Sequence, residues 1–228
     1  MSEKKILVIA AHPDDEVLGC GGTIAKLSST ANVQIAILGE GATSRVSAPS
    51  QADPQWVGDL QTDARNACKL MGAAKVSFEG LPDNRFDQLP LLEVVKKVES
   101  LLEELAPDTI YTHHPGDLNI DHQITFRAVL TATRPMVGCP VRDIYTFEIP
   151  SSSEWSFQRV GPAFQPNVFE DISTTMEKKI GAMECYQSEI RPFPHPRSPE
   201  ALRAIGTRWG SVVGLEYSEA FELIRSVR

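Results

Sequence analysis

The chain has 228 residues, and its 30 acidic against 22 basic side chains give a formal charge of −8. With 42% hydrophobic and 23% charged residues it reads as a globular protein rather than a disordered one. The acidic balance disfavours non-specific nucleic-acid binding, and no apolar run reaches the ~20 residues a membrane span requires. The start, Met1 to Lys5 followed by Ile6-Leu-Val-Ile-Ala10, is too short to be a signal peptide. A cytoplasmic protein is therefore expected, with Cys20, Cys68, Cys139 and Cys185 reduced.

Strands and helices alternate along the chain. Ile6–Ala11 is a continuous apolar run, the pattern of a parallel strand buried on both faces. Asp14-Asp15-Glu16 opens a helix that continues through Leu27, where acid complements the helix macrodipole. Val33–Leu38 is a second strand, followed by a Gly/Ser/Pro-rich loop from Gly39 to about Pro54. A helix over 57–72 ends at Gly72, and Lys75–Phe78 is a third strand. Leu91–Leu105 is an amphipathic helix stopped before Pro107, Thr109–Thr112 a fourth strand, and Gln123–Ala132 a further helix. Asp143–Ile149 is a strand, 173–188 a helix capped by Ser173, and Arg191–Pro199 a Pro-rich loop. The last segment, Ser218–Arg225, is expected to be helical. One α/β domain spanning residues 1–228 follows, Rossmann-like, in three layers around a mostly parallel central sheet.

Ligands of such sheets bind at the carboxyl ends of the strands. His12 follows the first strand, and His113 and His114 end the fourth. In His12-Pro-Asp-Asp-Glu16, His12 and Asp15 are spaced i, i+3 and can face one side of the strand-to-helix passage. His122 supplies a third ligand. Two histidines and one aspartate leave a coordination position open, as in a hydrolytic zinc site, with Asp14 available to act on water there. Asp121 or Asp117 can accept from a ligating imidazole and fix its tautomer. The same His2Asp set also suits a non-haem Fe(II) oxygenase. A non-catalytic sugar-binding module is the remaining alternative.

Ala11-His-Pro-Asp-Asp-Glu-Val-Leu-Gly-Cys-Gly-Gly-Thr23 resembles the opening motif of the PIG-L/LmbE-like family of zinc-dependent de-N-acetylases, and His114-Pro-Gly-Asp-Leu-Asn-Ile-Asp-His122 its second motif. The likeness continues through Phe147–Trp155 and Pro194–Ser198 to Glu219-Ala-Phe221. It implies a Rossmann-like fold and N-acetylated amino sugars or their conjugates as substrates. His12, Asp15 and His122 would hold Zn2+, which Fe2+ or Co2+ can replace. Metal-activated water would attack the acetamide with Asp14 as general base. Where many members carry an oxyanion-stabilising histidine, three positions before the last ligand, this chain has Asn119. Its amide can donate but cannot act as a cationic acid, so His195 or His114 is a candidate for that task. Arg45, Arg85, Asp87 and Arg197 are candidate substrate contacts, and Trp155 and Trp209 candidate sugar-stacking rings. The glycines at 19, 21 and 22 are read as permitting close helix–strand contact rather than as a nucleotide fingerprint. A homo-oligomer is expected from the resemblance alone.

Overall fold

The structure, a computed structural model, describes residues 4–45 and 53–228. Its first strand, β1 (Lys5–Ala10), sends Ile6, Val8 and Ala10 to one core and Leu7 and Ile9 to another, which Ala11, just past the strand, also joins. That period-two split is why the run is apolar throughout: both faces are covered.

In chain order there follow α1 (Asp15–Leu27), β2 (Asn32–Gly39), α2 (Pro54–Met71), β3 (Lys75–Leu81), α3 (Leu91–Leu105) and β4 (Thr109–His113). Then come α4 (Ile120–Ala132), β5 (Asp143–Phe147), β6 (Val168–Asp171), α5 (Met176–Cys185), α6 (Pro199–Val213) and β7 (Ser218–Arg225). The seven strands form one sheet in the order β3-β2-β1-β4-β5-β7-β6. The first five run parallel, and β7 pairs antiparallel with both β5 and β6. Residues of α1, α2, α5 and α6 build the core on one face, while α3 and α4 build that on the other. Strand order reverses between β1 and β4, so their carboxyl ends border the crevice where doubly wound sheets bind ligands.

Ser218–Arg225 is thus a strand and not a helix. Its eight residues fit either period, and tertiary pairing decides: β5 and β6 satisfy its backbone on both sides. The helix expected from Ser173 begins instead at Met176, because the Ser173 amide and hydroxyl both donate to Asp171 Oδ1, at 2.9 and 2.6 Å. The helix expected from Gln123 starts earlier, at Ile120, where Asn119 caps it by accepting the Asp121 N–H at 2.8 Å. β6 and α6 carry no sequence expectation. All four cysteines are free, and no helix among the described residues is long and apolar enough to cross a membrane.

α1 is broken at Cys20 (φ −150°, ψ 25°). A buried ion pair fills the break: Lys179 Nζ lies 2.5 Å from Glu219 Oε1 and donates to the Leu18 carbonyl at 2.9 Å. Glu219 in turn accepts the N–H groups of Gly22 and Thr23, at 3.0 and 2.7 Å. The glycines near the break let α1 lie close to its neighbours. A Cβ on Gly19 would sit 2.3 Å from the Phe147 ring at the end of β5, and one on Gly22 would sit 2.9 Å from Ile172. Gly19→Ala is expected to cost about 1–3 kcal/mol by overpacking, measurable by urea unfolding. An unchanged midpoint would show that Phe147 can move aside.

Candidate active site

The carboxyl ends of β1 and β4 meet over a polar cavity of about 210 Å3. Its walls include His12, Asp14, Asp15, Asp83, Asn119, His122 and Arg197. The passage from β1 into α1 is tight: Asp14 takes φ 104°, a left-handed conformation for a residue with a side chain. Such a backbone costs about 1–3 kcal/mol and persists only where surroundings enforce it. Here Glu16 Oε2 accepts the Asp14 N–H at 3.1 Å, while Glu16 Oε1 accepts the Tyr186 hydroxyl at 2.5 Å. Burial pushes Glu16 up to about 7, against the stabilising Tyr186 bond.

Asp15 Oδ2 is the centre of the site. It lies 3.4 Å from His12 Nδ1 and 3.3 Å from His122 Nε2. These separations exceed the usual hydrogen-bond range. They match the ~3.3–3.4 Å edges of a tetrahedron whose corners stand ~2.0–2.1 Å from a central zinc-class ion. One ligating atom from each of His12, Asp15 and His122 lies within 4.8 Å of the others. Each imidazole is backed by its own carboxylate: Asp121 Oδ2 lies 3.0 Å from His12 Nε2, and Asp117 Oδ1 3.1 Å from His122 Nδ1. A nitrogen-and-oxygen donor set with carboxylate-oriented imidazoles fits a divalent metal ion.

Electrostatics agree with the geometry. Burial would raise the Asp15 carboxyl, but the imidazoles of His122, His113 and His12 hold it well below its ordinary range. Burial would lower His122, yet Asp15 and Asp117 outweigh it and push the ring up to about 9. Asp117 is drawn down to about 2 against its own burial by His122 and by the hydroxyls of Ser152 and Ser153. Such a site attracts positive charge.

The two histidines that end β4 face different surroundings. His113 Nε2 accepts the Ala11 N–H at 2.8 Å, and its ring stacks on His122 with centroids 4.0 Å apart. Burial and the neighbouring His122 charge push His113 down to about 3, so it packs as a neutral ring behind the site. His114 instead meets the Pro162 carbonyl (2.9 Å) and Glu222 (3.2 Å), and lines a separate cavity of about 460 Å3 with Trp209. The Trp209 indole donates to Glu148 at 2.6 Å and carries Arg208 over its face.

The remaining sequence candidates divide by position. Arg197 lines the cavity, but its guanidinium is engaged by the protein, with Nη1 2.6 Å from Asp14 Oδ2 and Nε donating to Ser151 at 2.8 Å. α6 sets this geometry, since Ser198, the next residue, caps it by accepting the Ala201 N–H. Burial raises the Asp14 carboxyl well above its usual range, and Arg197 opposes that rise. His195 stands outside the cavity lining. Its Nδ1 accepts the Arg197 N–H at 3.1 Å, and its ring packs edge-on against Trp155. Asn119 lines the cavity and donates to Asn84 Oδ1 at 3.0 Å. Arg85 is half-buried and Asp87 exposed, both outside that lining. The side chain of Arg45 lies outside the described residues.

Two charged residues of the cavity wall, Asp83 and Glu189, carry no expectation from the sequence. Asp83 turns inward because Ser44 donates to its Oδ2 from both N–H (3.1 Å) and hydroxyl (2.5 Å). Glu189 lines the cavity 3.3 Å from Arg197. Neither belongs to a histidine-bearing motif; only folding brings them in.

Comparison with known proteins agrees with this architecture. The diacetylchitobiose deacetylase of Thermococcus kodakarensis is 25% identical, over 98% of this chain and 84% of its own. The 4-oxalmesaconate hydratase of Pseudomonas putida is 24% identical over 97% of this chain and 90% of its own. The crystal structure of N,N'-diacetylchitobiose deacetylase from Pyrococcus horikoshii superposes with a TM-score of 0.76 at 23% identity, covering 97% of this chain and 84% of that one. The family described as PIG-L, GlcNAc-PI de-N-acetylase, matches residues 7–133, which include both histidine-bearing segments, and the chain belongs to that family.

Proposed function

We propose that this protein is a zinc-class metal hydrolase that removes the acetyl group from an N-acetylated amino sugar or sugar conjugate. The observation that carries the proposal is Asp15 Oδ2 standing a tetrahedral edge from both His12 Nδ1 and His122 Nε2, with Asp14 beside it. The diacetylchitobiose deacetylase, similar along nearly the whole chain, supports an acetamido sugar as the substrate.

His12, Asp15 and His122 hold the ion, which supplies Lewis acidity toward water and toward a carbonyl oxygen. Asp14 accepts a proton from the attacking water as the water oxygen bonds to the acetamide carbon. The C–N bond then breaks, and Asp14 returns the proton to the leaving amine. Acetate and a free amine are the products. Arg197 fixes the orientation of the Asp14 carboxylate, so it acts as a positioning residue rather than as a contact to a substrate anion. Asn119 has two amide hydrogens and gives one to Asn84; the other can donate to the developing oxyanion.

Acetate release from N-acetylglucosamine and N,N'-diacetylchitobiose, followed with and without chelator, tests this reading. Release is expected, with loss on chelation and recovery on adding Zn2+ or Co2+. Chelator-insensitive release would overturn the metal mechanism. No acetate from any acetamido sugar would overturn the substrate class, and it would turn attention to hydration chemistry of the kind named for the Pseudomonas relative.

A further inference from the structure

His12 faces carboxylates from both sides of its ring. Nδ1 points at Asp15, in the site already described. Nε2 lies 3.0 Å from Asp121 Oδ2 and 3.4 Å from Asp83 Oδ1. A carboxylate behind a ligating imidazole is the normal arrangement, and Asp121 fills that role. Asp83 is not accounted for in this way. Nε2 carries at most one hydrogen, and Asp121 stands at the hydrogen-bonding distance, so a second buried carboxylate aimed at the same nitrogen is surplus.

Each of these carboxylates is fixed through one oxygen and presents the other toward His12 Nε2; that of Asp83 is shared with a neighbouring amide. Asp121 Oδ1 accepts the Phe86 N–H at 2.9 Å, while Asp83 Oδ2 accepts the Ser44 N–H and hydroxyl. Asp83 Oδ1 also accepts from Asn84 Nδ2 at 3.0 Å. Both residues are buried, Asp121 fully and Asp83 with 3% exposure. The Nε2 and two oxygen atoms lie within 4.8 Å of one another, as the first ligand set does. The 3.0 and 3.4 Å separations fall near the ~3.3–3.4 Å edge of a tetrahedral zinc shell. One nitrogen and two carboxylate oxygens suit a borderline divalent ion such as zinc, cobalt or manganese.

We propose that His12 Nε2, Asp83 and Asp121 form a second divalent-cation site, joined to the first through the His12 ring, and that filling it inhibits the enzyme. The inference rests on the reading of His12, Asp15 and His122 as the first site. Inhibition follows from position. The second ion takes over the carboxylate that orients His12, and it stands beside Asn84 and Asn119 in the wall of the substrate cavity. Binding releases the Nε2 proton to solvent. Two dications across one imidazole also repel, so the second site is expected to be weaker by about tenfold or more.

The test is equilibrium dialysis of the full chain against graded free Zn2+, with bound metal counted by atomic absorption and acetate release followed in parallel. Wild type is expected to take up one equivalent with gain of activity, then a second at about tenfold or higher free zinc with loss of activity. Asp83→Asn and, independently, Asp83→Ser should keep the first equivalent, while uptake of the second and the inhibition both move to higher zinc. Their circular dichroism and urea midpoints establish that they are folded. With 113Cd2+ as the probe, wild type should show a second resonance that Asp83→Asn lacks. Saturation of wild type at one equivalent up to millimolar zinc would overturn the proposal. So would a folded Asp83 variant that takes up the second equivalent as wild type does. His122→Ala separates the two readings: it should lose the first equivalent only. If it lost neither, the first-site assignment would fail, while a second equivalent still dependent on Asp83 would uphold this one.

Discussion

Asp14→Asn is expected to keep its full metal content and to lose about 10²–10⁴-fold in turnover, the range for removal of a general base. Asn has the same shape and, like Asp, is enriched among non-glycine residues at positive φ, so the turn from β1 into α1 should survive. Its carbonyl oxygen can still accept from Arg197, which stands 2.6 Å from the native carboxylate. What disappears is the capacity to take a proton from water and deliver it to the amine. Because Asp14 is outside the proposed ligand set, metal content measured by atomic absorption should match wild type. Turnover near wild type would show that Asp14 is not the base. Loss of metal together with activity would place Asp14 among the residues that hold the ion.

Lys179→Met is expected to destabilise the fold by about 3–5 kcal/mol, the cost of leaving one partner of a buried pair uncompensated. Lys179 and Glu219 are both buried, at 6% and 4% exposure, and they join three elements at the break in α1. Lys179 donates to the carbonyl that ends the first part of the helix, and Glu219 accepts the N–H groups that begin the second. Methionine fills the space of the lysine stem but offers no positive charge to the Glu219 carboxylate. Adding Glu219→Gln should recover part of the loss, since the amide oxygen can still accept from Gly22 or Thr23 without a buried charge. Urea unfolding of the two variants makes the comparison. A Lys179→Met cost under about 1 kcal/mol would mean that the break tolerates an unpaired carboxylate.

Both predictions concern residues whose partners lie far away in the chain. Arg197 is 183 positions from Asp14, and Glu219 is 40 from Lys179. Local pattern carries no information about such pairs. It does carry the order of the first five strands and the start of α3 at Leu91, because apolar periodicity and the proline and glycine stops are local. The site motifs were legible for the same reason: a histidine and three acids at a strand end are costly to place without a use. Spacing alone does not choose between Asp117 and Asp121 as the partner of a ligating imidazole, and the structure gives each aspartate a different ring.

Local pattern was enough for a mostly parallel, helix-covered sheet with His12 and the β4 histidines at strand carboxyl ends, while the reversal of strand order between β1 and β4 came from the fold. Strand–helix alternation implies parallel βαβ units, and such units place the loops that follow the strands at one end of the sheet. Folding is what makes Ser218–Arg225 a strand, sets His113 rather than His114 behind the site, brings Arg197 to Asp14 and turns Asp83 in toward His12. In each case the deciding partner, a neighbouring strand, an amide or a charge, is supplied by residues that become adjacent on folding.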